Sequence, residues 1–359
     1  MGLELTGVFT MDQIHHHGLL MIQYLQVSLQ PHSKFLIWIS HLSSPAWSYT
    51  VYFPLSYYLH KSVGRRVLLV ASVAEWLNAV LKWILHGERP YWWGHEAGMC
   101  QGNDKPCNQF YITCETGPGS PSGHCMVTIS VFCVMVSALL FHIFKNKSHR
   151  TIAGITLWTA FGILTSAINI SRCFIFAHFP HQVLLGTVVG ILTAMCFDHI
   201  SMSSLSLRHY LTIAVGMLLV AAMTYMLLIQ MGLDPHWSIS KAKKWCAHEE
   251  WVHLTTTLFF SVAKASSSLV GLGLAETINN QGQNAVEQKV SKLISMIFAL
   301  VFTCLLERVN VAQDSEFLFY LFCYIKYIIM IFVIAAVVPW IVTFFTVQGN
   351  RKTSKDKLT

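Results

Sequence analysis

Long apolar runs constrain this chain more than any other feature of its sequence. A helix needs about 20 mostly apolar residues to cross the hydrocarbon core of a bilayer. Nine candidate stretches lie at 35–59, 67–86, 123–144, 151–170, 178–198, 210–231, 254–275, 292–306 and 317–347. The first is interrupted by Ser and Pro, and the eighth is short. The sequence therefore predicts an all-α fold, a polytopic membrane protein of about nine transmembrane helices.

The composition supports this membrane interpretation. Apolar residues make up 54% of the chain and charged residues 11%, whereas a soluble domain carries about a quarter charged residues. The net charge of +7 would suggest a nucleic-acid partner for a soluble protein. Here the basic residues lie scattered between apolar blocks, so membrane topology explains them and no nucleic-acid partner is expected.

Basic connections predict the orientation and the domain boundaries. The clearest basic segments are 61–66, 145–150 and 351–357. Because cytosolic loops are enriched in Lys and Arg, they place the C-terminus in the cytosol, and nine spans then place the N-terminus in the lumen. The loops 87–122 and 232–253 fall on the lumenal side, although lysines in the second run against the rule. We expect one integral membrane domain over 1–350 and a cytosolic basic tail over 351–359.

The tail and the first lumenal loop each carry a further signal. Lys355 and Lys357 resemble the dilysine signal that returns membrane proteins to the endoplasmic reticulum, so that membrane is the expected location. In the loop, Cys100, Cys107 and Cys114 lie close together in sequence. An oxidising lumen would allow one disulfide, with Cys100–Cys107 favoured and one thiol left over. The spacing lacks the Cys-x-x-Cys of a zinc site, and no metal is expected.

Three segments at the lumenal ends of predicted spans combine fixed cations with backbone donors. They are 82–93, 114–124 and 171–182. Lys82 and Arg89 are two helical turns apart, so both can face one point. Arg172 adds a planar fork that can bind two phosphate oxygens. At the start of a span, Ser122 and Gly123 offer backbone N–H groups and close approach to an anion. The pattern indicates a cradle for a phosphoryl group, whose charge lies on three oxygens.

Two histidines in these segments can supply the chemistry. His124 follows Gly123, and His178 lies six residues after Arg172. Because the histidine pKa lies near neutral pH, one can attack phosphorus and the other can protonate the leaving alcohol. The residues alone leave open which does which. Gln182, one helical turn after His178, is expected to accept the other imidazole N–H and so hold the attacking tautomer.

The three segments resemble the signature of the type 2 phosphatidic acid phosphatase and vanadium haloperoxidase superfamily. That signature has Lys with Arg-Pro seven and eight residues on, then Pro-Ser-Gly-His, then Ser-Arg with His six residues after the Arg. The residues around it, including the run from Cys114 to Ser120 and His178-Phe-Pro-His-Gln182, resemble those of glucose-6-phosphatase catalytic subunits. The likeness extends over nearly the whole chain. It implies the superfamily's helical-bundle core and hydrolysis of glucose 6-phosphate in the lumen of the endoplasmic reticulum.

The resemblance also implies a role for each site residue. His178 would be the nucleophile that forms a phosphohistidine, and His124 would donate a proton to the departing sugar oxygen. The phosphate-binding residues would be Lys82, Arg89 and Arg172. The supporting residues would be Ser122, Gly123 and Gln182. No metal and no cofactor are implied. The implied partners are glucose 6-phosphate, membrane lipid and a hexose-phosphate transporter in the same membrane.

Two departures and two alternatives qualify the assignment. The wider superfamily has Asp where Gln182 stands, but glucose-6-phosphatases share the Gln. The family usually has Asp before the Pro of its first span, whereas this chain has Ser44-Pro45, which leaves the sugar preference open. A lipid phosphate phosphatase is the main alternative, although such enzymes have fewer spans and keep the Asp at the position of Gln182. A non-catalytic transporter or scaffold is disfavoured by the intact histidines.

Charged residues elsewhere in the spans have less clear roles. Lys264 and Lys326 lie in or near predicted spans, where an ionisable group is a functional hypothesis by default. Without a partner evident in the sequence, both are interpreted as snorkelling to the interface or as contacts between helices. Glu75 is interpreted as such a contact as well. Glu115 is expected to support the second segment and not to touch substrate.

Overall fold

The helices of this chain account for all its regular secondary structure in the residues that the structure describes. A computed structural model describes residues 10–100, 106–142, 147–279, 289–309 and 315–345. The helices are α1 (Met11–Ser28), α2 (Ser33–Leu42), α3 (Pro45–Trp47), α4 (Phe53–Leu59), α5 (Lys61–Leu85), α6 (Pro90–Glu96), α7 (Gly123–His142), α8 (Lys147–Phe174), α9 (Pro180–Asp198), α10 (Leu207–Gln230), α11 (Trp237–Trp245), α12 (Leu258–Asn279), α13 (Lys289–Glu307) and α14 (Glu316–Phe332). The predicted all-α class is confirmed. The tail 351–359 lies outside the described residues.

Seven helical stretches in the described residues are long and apolar enough to cross a membrane. They are Lys61–Glu96, Gly123–His142, His149–Phe174, Pro180–Asp198, Leu207–Gln230, Leu258–Ile278 and Glu316–Phe345. The predicted count of nine is therefore not confirmed. The segment 35–59 is broken because Ser44 is extended and Pro45 starts a new short helix, as expected when proline follows a residue that it pushes out of the helical region. The segment 292–306 lies within α13, which is not among the seven.

Helix α5 lies at the centre of the bundle. It packs against α7 on one side and α12 on the other, while α9 packs against α7, and α10 and α14 pack against α12. Two glycines allow α9 to approach α7 closely. A Cβ on Gly186 would lie 2.6 Å from the carbonyl oxygen of Ser122, and one on Gly190 would lie 2.5 Å from that of Met126. This small-residue contact, of the kind common between membrane helices, fixes the start of α7 beside the start of α9.

Ion pairs join the helices away from the site, and one of them is buried. The ammonium of Lys264 on α12 lies 2.8 Å from Oε1 of Glu75 on α5, with both side chains at most 5% exposed. The same ammonium lies 5.1 Å from the centre of the Tyr49 ring. Lys326 on α14 pairs with Glu307 on α13 at 3.2 Å. The lysines whose role the sequence left open are thus contacts between helices.

Two disulfides tie down the loops at one end of the bundle. Cys100 bonds to Cys107, the bridge favoured by the sequence, and Cys114 bonds to Cys246. The expectation of a thiol left over at Cys114 is wrong. Its partner is 132 residues away in the chain, so the pairing depends on the fold that brings two distant loops together and not on local spacing.

Candidate active site

The site lies where several helix ends meet on one side of the bundle. Lys82 is in the last turn of α5, Arg89 directly precedes α6, His124 is in the first turn of α7, and Arg172 is in the last turn of α8. Because α5, α7 and α8 alternate in direction along the chain, the C-terminal ends of α5 and α8 meet the N-terminal end of α7. His178 lies in the loop between α8 and α9. All five sequence-predicted site residues are brought to this end.

A tight turn after α8 sets Arg172 and His178 on the same side. The backbone amides of Ala177 and His178 both donate to the carbonyl oxygen of Arg172, at 3.3 Å. The turn places Phe176 at φ 65°, a left-handed conformation that is costly for a residue with a side chain. Phe176 is fully buried, and Pro180 then starts α9. Packing of the Phe176 ring therefore holds a strained turn between two site residues.

Backbone carbonyls and one hydroxyl hold the two arginines in place. Arg89 is fully buried and donates to the carbonyl oxygens of Gly117 at 2.6 Å, Ala177 at 3.1 Å and Pro118 at 3.2 Å. Arg172, 1% exposed, donates from Nη1 to Oγ of Ser40 at 2.8 Å. Because these contacts fix each guanidinium in orientation, the remaining Nη2 donors point to a common centre.

The carboxylate of Glu115 lies at that centre. Its Oε2 is 2.9 Å from Nη2 of Arg89, and its Oε1 accepts from Nη2 of Arg172. Nδ1 of His124 lies 3.4 Å from Oε1, and Nε2 of His178 lies 3.8 Å from Oε2. Burial alone would raise the pKa of the Glu115 carboxyl, but Arg172 and Arg89 outweigh it and hold that pKa well below its ordinary value. The carboxylate is therefore ionised and is held by the two guanidinium groups.

The protonation of His178 follows from its partner. Nδ1 lies 2.8 Å from the carbonyl oxygen of Gly119. Since a carbonyl can only accept, Nδ1 carries the proton and Nε2 presents its lone pair to the centre, 3.4 Å from Nη1 of Arg89. Burial and then the charge of Arg89 hold the pKa of His178 well below its ordinary value. His178 is therefore neutral near pH 7, with Nε2 available as a nucleophile.

Gln182 has a different place from the one expected. Its Oε1 accepts from the amide of Phe179 at 3.1 Å, and its Nε2 donates to the carbonyl oxygen of Glu88 at 2.6 Å. The backbone of Gly119 lies against this amide, since a Cβ there would be 2.7 Å from Oε1 of Gln182. Gln182 thus supports the loop segment that contains Gly119. The backbone carbonyl of Gly119, and not the Gln182 side chain, orients His178.

The remaining predicted residues complete one wall of the site. Lys82 is 5% exposed and lies close enough to Arg89 and Glu115 to interact electrostatically, and its ammonium makes no hydrogen bond or ion pair within the described residues. The Ser122 amide donates to the carbonyl oxygen of Gln182 at 3.1 Å. A Cβ on Gly123 would lie 2.9 Å from Oδ1 of an asparagine on α5. The start of α7 is thus pressed against α5 near a buried ammonium.

A cavity of about 180 Å³ opens beside His124 and Arg172. Its lining residues are Ser40, His41, Ser44, Tyr111, Ile112, Cys114, Glu115, His124, Arg172, Trp251, His253 and Thr256. Three of them come from the second loop at this end, which the Cys114–Cys246 disulfide and the 3.0 Å contact between the hydroxyls of Thr116 and Thr256 hold in place. Polar groups and one indole around a small cavity suit a compact ligand with several hydroxyls.

Two parts of this arrangement were not predicted from the sequence. Glu115 received a supporting role, yet its carboxylate contacts four of the five predicted residues. An acidic residue inside a cation-rich segment was the available signal. The cavity wall formed by Trp251, His253 and Thr256 carries no motif of its own. Cys246, a cysteine in the second loop, was the only hint that this loop is tied to the first.

Known proteins resemble the chain over nearly its whole length. The PAP2 superfamily model matches residues 48–203, which contain the three predicted catalytic segments 82–93, 114–124 and 171–182. Glucose-6-phosphatase 2 of Mus musculus is 37% identical over 359 residues, covering 96% of this chain and 100% of that protein. Glucose-6-phosphatase catalytic subunit 1 of Mus musculus is 36% identical, covering 95% and 98%. Glucose-6-phosphatase 3 of Bos taurus is 34% identical, covering 92% and 96%.

No solved structure matches the chain. The identities hold across the catalytic helices and also across the later helices that the superfamily model does not reach. The chain is therefore a member of the glucose-6-phosphatase catalytic subunit family, within the PAP2 superfamily.

Proposed function

We propose that this protein is a phosphatase that hydrolyses glucose 6-phosphate to glucose and inorganic phosphate. The observation that carries the proposal is the placement of the His178 Nε2 lone pair 3.4 Å from the buried guanidinium of Arg89 and 3.8 Å from the Glu115 carboxylate, which Arg172 also contacts and which lines the neighbouring cavity. A nucleophile, fixed cations and room for a small polyol are the parts that hydrolysis of a sugar phosphate needs. The relatives named glucose-6-phosphatase support the choice of ester.

In the first half of the reaction, Nε2 of His178 attacks phosphorus and the bond to the sugar oxygen breaks. The charge on the three equatorial oxygens is stabilised by Lys82 and by Arg89 and Arg172, whose guanidinium groups are already held in position. His124, at the border of the cradle and the cavity, donates its proton to the departing oxygen and releases the alcohol. The product is a phosphohistidine at His178.

In the second half, a water molecule replaces the sugar. His124, now unprotonated, accepts a proton from that water as its oxygen attacks phosphorus, and the bond to Nε2 of His178 breaks. Inorganic phosphate leaves and both histidines return to their starting states. The hydrogen bond from Nδ1 of His178 to Gly119 is kept throughout, since it keeps the same nitrogen available for each turnover.

We propose further that the site faces the lumen of the endoplasmic reticulum. Lys61, Arg65 and Arg66 lie at the start of α5, whereas Lys82 lies at its end. If the basic end is cytosolic, the site is lumenal, and a hexose-phosphate transporter in the same membrane would deliver substrate. If the stretches 35–59 and 292–306 cross the membrane as well, protease should, in intact microsomes, remove a tag placed after Thr359 and spare one placed before Met1. Cleavage of both tags would contradict this orientation.

The activity is tested by phosphate release from glucose 6-phosphate and from a phosphatidic acid, with microsomes that contain the wild-type chain or His178→Ala. We expect glucose 6-phosphate to be hydrolysed faster, detergent to raise its rate by opening the lumen, and His178→Ala to abolish it. Faster release from the lipid would favour a lipid phosphate phosphatase instead. No release from either ester would favour a non-catalytic role.

A further inference from the structure

The Glu115 carboxylate takes the place that the proposed mechanism gives to the phosphoryl group. Its two oxygens accept from Arg89 and Arg172, the forks that would bind two phosphate oxygens. Arginine forks fit carboxylates and phosphates by the same bidentate geometry. Oε2 also lies 3.8 Å in front of Nε2 of His178, across the approach from which the nucleophile must reach phosphorus.

We propose that Glu115 is a specificity-determining residue: its side chain fills the phosphate subsite of the free enzyme and is displaced into the neighbouring cavity when a sugar phosphate binds. The proposal rests on the proposed function, because it uses the same cradle. In addition, the Glu115 carboxylate competes with phosphate for the two arginines. A free phosphate ion has to displace this carboxylate and brings no hydroxyl groups to it. A sugar phosphate has hydroxyls that can donate hydrogen bonds to the displaced carboxylate.

Only the side chain of Glu115 is free to make this movement. Its backbone amide donates to the carbonyl oxygen of Thr113 at 2.9 Å, and its carbonyl oxygen accepts from the Tyr91 hydroxyl at 3.0 Å. The preceding residue, Cys114, is bonded to Cys246. Rotation about the side-chain bonds of Glu115 is therefore the route by which its carboxylate can leave the two guanidiniums.

The cavity gives the displaced carboxylate a destination. Glu115 is itself part of the lining, and its side chain is 13% exposed there. A carboxylate is an acceptor only, so it needs donors when it leaves the arginines. The hydroxyls of a sugar in a cavity of about 180 Å³ can supply them. When inorganic phosphate is bound, the displaced carboxylate has only the donors of the lining, such as Ser44 and Tyr111, and gains no sugar hydroxyls.

Like charge makes displacement necessary. A phosphate dianion in contact with Arg89 and Arg172 would also touch a carboxylate left between them, and such a contact is strongly unfavourable in a buried site. Both guanidiniums are at most 1% exposed, so solvent screening does little to reduce the repulsion. Glu115→Gln keeps the shape of the side chain and removes its charge. It therefore distinguishes competition between the carboxylate and phosphate from an effect of side-chain packing.

The test uses the purified full-length protein in detergent micelles, with wild type, Glu115→Gln, Glu115→Asp and Glu96→Gln. Glu96 is the matched control, since it pairs with Lys241 at 2.8 Å outside the cradle. Binding of inorganic phosphate and of orthovanadate is measured as the shift in thermal unfolding, and the KM for glucose 6-phosphate is measured by turnover.

For Glu115→Gln we expect phosphate and vanadate to bind roughly tenfold or more tightly than to wild type, while the KM for glucose 6-phosphate falls much less. Glu115→Asp, with a carboxylate too short to reach both arginines, should tighten phosphate binding by a smaller factor, and Glu96→Gln should leave it unchanged. Unchanged or weaker phosphate binding in both Glu115 variants would overturn the proposal. So would an equal fall in the KM for glucose 6-phosphate.

These outcomes are separable from failure of the proposed function. If wild type does not turn over glucose 6-phosphate, the choice of substrate is wrong. The thermal shifts with phosphate and vanadate still decide whether the Glu115 carboxylate competes for the cradle. Should Glu115→Gln not yield folded protein, the comparison of Glu115→Asp with wild type decides it, since the shorter carboxylate must then bind phosphate more tightly.

Discussion

Nδ1 of His178 lies 2.8 Å from the backbone carbonyl oxygen of Gly119, and in the proposed mechanism this contact decides which ring nitrogen attacks phosphorus. A side-chain acceptor, such as the carboxylate of a triad, usually has this orienting role. Here the acceptor is part of a backbone segment, and the segment is held by Gln182 and by the 2.6 Å hydrogen bond from the Gly119 amide to the carbonyl oxygen of Gly87. The orientation of the His178 ring therefore depends on glycine at 119.

Gly119→Ala tests this dependence. An added Cβ would lie 2.4 Å from the carbonyl oxygen of Glu88 and 2.7 Å from Oε1 of Gln182, so the backbone must shift. A displacement of about 1 Å costs roughly a hundredfold in rate, and we expect at least that loss in kcat for glucose 6-phosphate. Gly162→Ala on α8 is the control, because its Cβ would meet nothing within 4 Å. Full activity of Gly119→Ala would contradict the orienting role of this carbonyl.

The lowered pKa of His178 predicts how stability depends on pH. The unfolded chain binds a proton at this histidine below about pH 6.5, while burial and Arg89 prevent protonation of the folded form until the pH is well below that. The free energy of unfolding should therefore fall as the pH decreases from 6.5, by at most about 1.4 kcal/mol per pH unit from this group. Thermal unfolding of wild type and His178→Gln at pH 7.5, 6.5 and 5.5 measures it.

The variant should lose less stability than wild type across the two lower pH values, since it has no imidazole to protonate when unfolded. Between pH 7.5 and 6.5 the two proteins should respond alike. An identical pH dependence over the whole series would show that His178 is protonated as readily in the folded protein as in the unfolded one.

The buried pair of Glu75 and Lys264 joins the catalytic helix α5 to α12. Removing one partner leaves an uncompensated buried charge, which costs about 3–5 kcal/mol, whereas replacing both by apolar residues is close to neutral. We expect Glu75→Leu and Lys264→Met to lower the midpoint of thermal unfolding strongly, and the double variant to recover most of the loss. A double variant no more stable than either single one would refute a direct pairing.

Trp251 tests the cavity as the site of the sugar. Its indole lies in the cavity lining and belongs to the loop held by the Cys114–Cys246 disulfide. Trp251→Ala should raise the KM for glucose 6-phosphate about fivefold to tenfold, the value of one aromatic contact. Inhibition by vanadate should stay unchanged, because vanadate occupies the cradle alone. Trp340→Ala, at an indole 64% exposed on the last span, is the control.

A shift in vanadate inhibition as large as the shift in KM would lead to a different conclusion. Trp251 would then act by supporting the phosphate cradle, and the cavity would lose its assignment to the sugar.

The sequence predicts those parts of this molecule that depend on local pattern. Apolar runs located the long helices, and motif spacing singled out Lys82, Arg89, His124, Arg172 and His178, because those residues sit at fixed distances from helix ends. The number of membrane-spanning helices could not be predicted as well from the sequence. Ser44 and Pro45 interrupt an apolar run whose composition alone resembles a single helix.

Contacts made by the backbone or between distant loops could not be predicted in this way. The acceptor for His178 is a carbonyl group, which every residue has, so no residue type marks Gly119 for that role. Gln182 was the nearest side chain of suitable chemistry, yet the fold turns its amide toward Glu88 and Phe179. Likewise, Cys114 meets Cys246 only because two loops converge.

The central claim is that His178 is the group that takes the phosphoryl group from the substrate. Rapid quench of wild type with phosphate-labelled glucose 6-phosphate, followed by peptide mapping at alkaline pH, tests it most directly. Wild type should carry acid-labile label on Nε2 of His178, and His178→Ala should carry none. Label should accumulate on His178 when His124→Ala slows turnover by about two to four decades. Label retained at the wild-type level in His178→Ala, or found on a different residue, would contradict it.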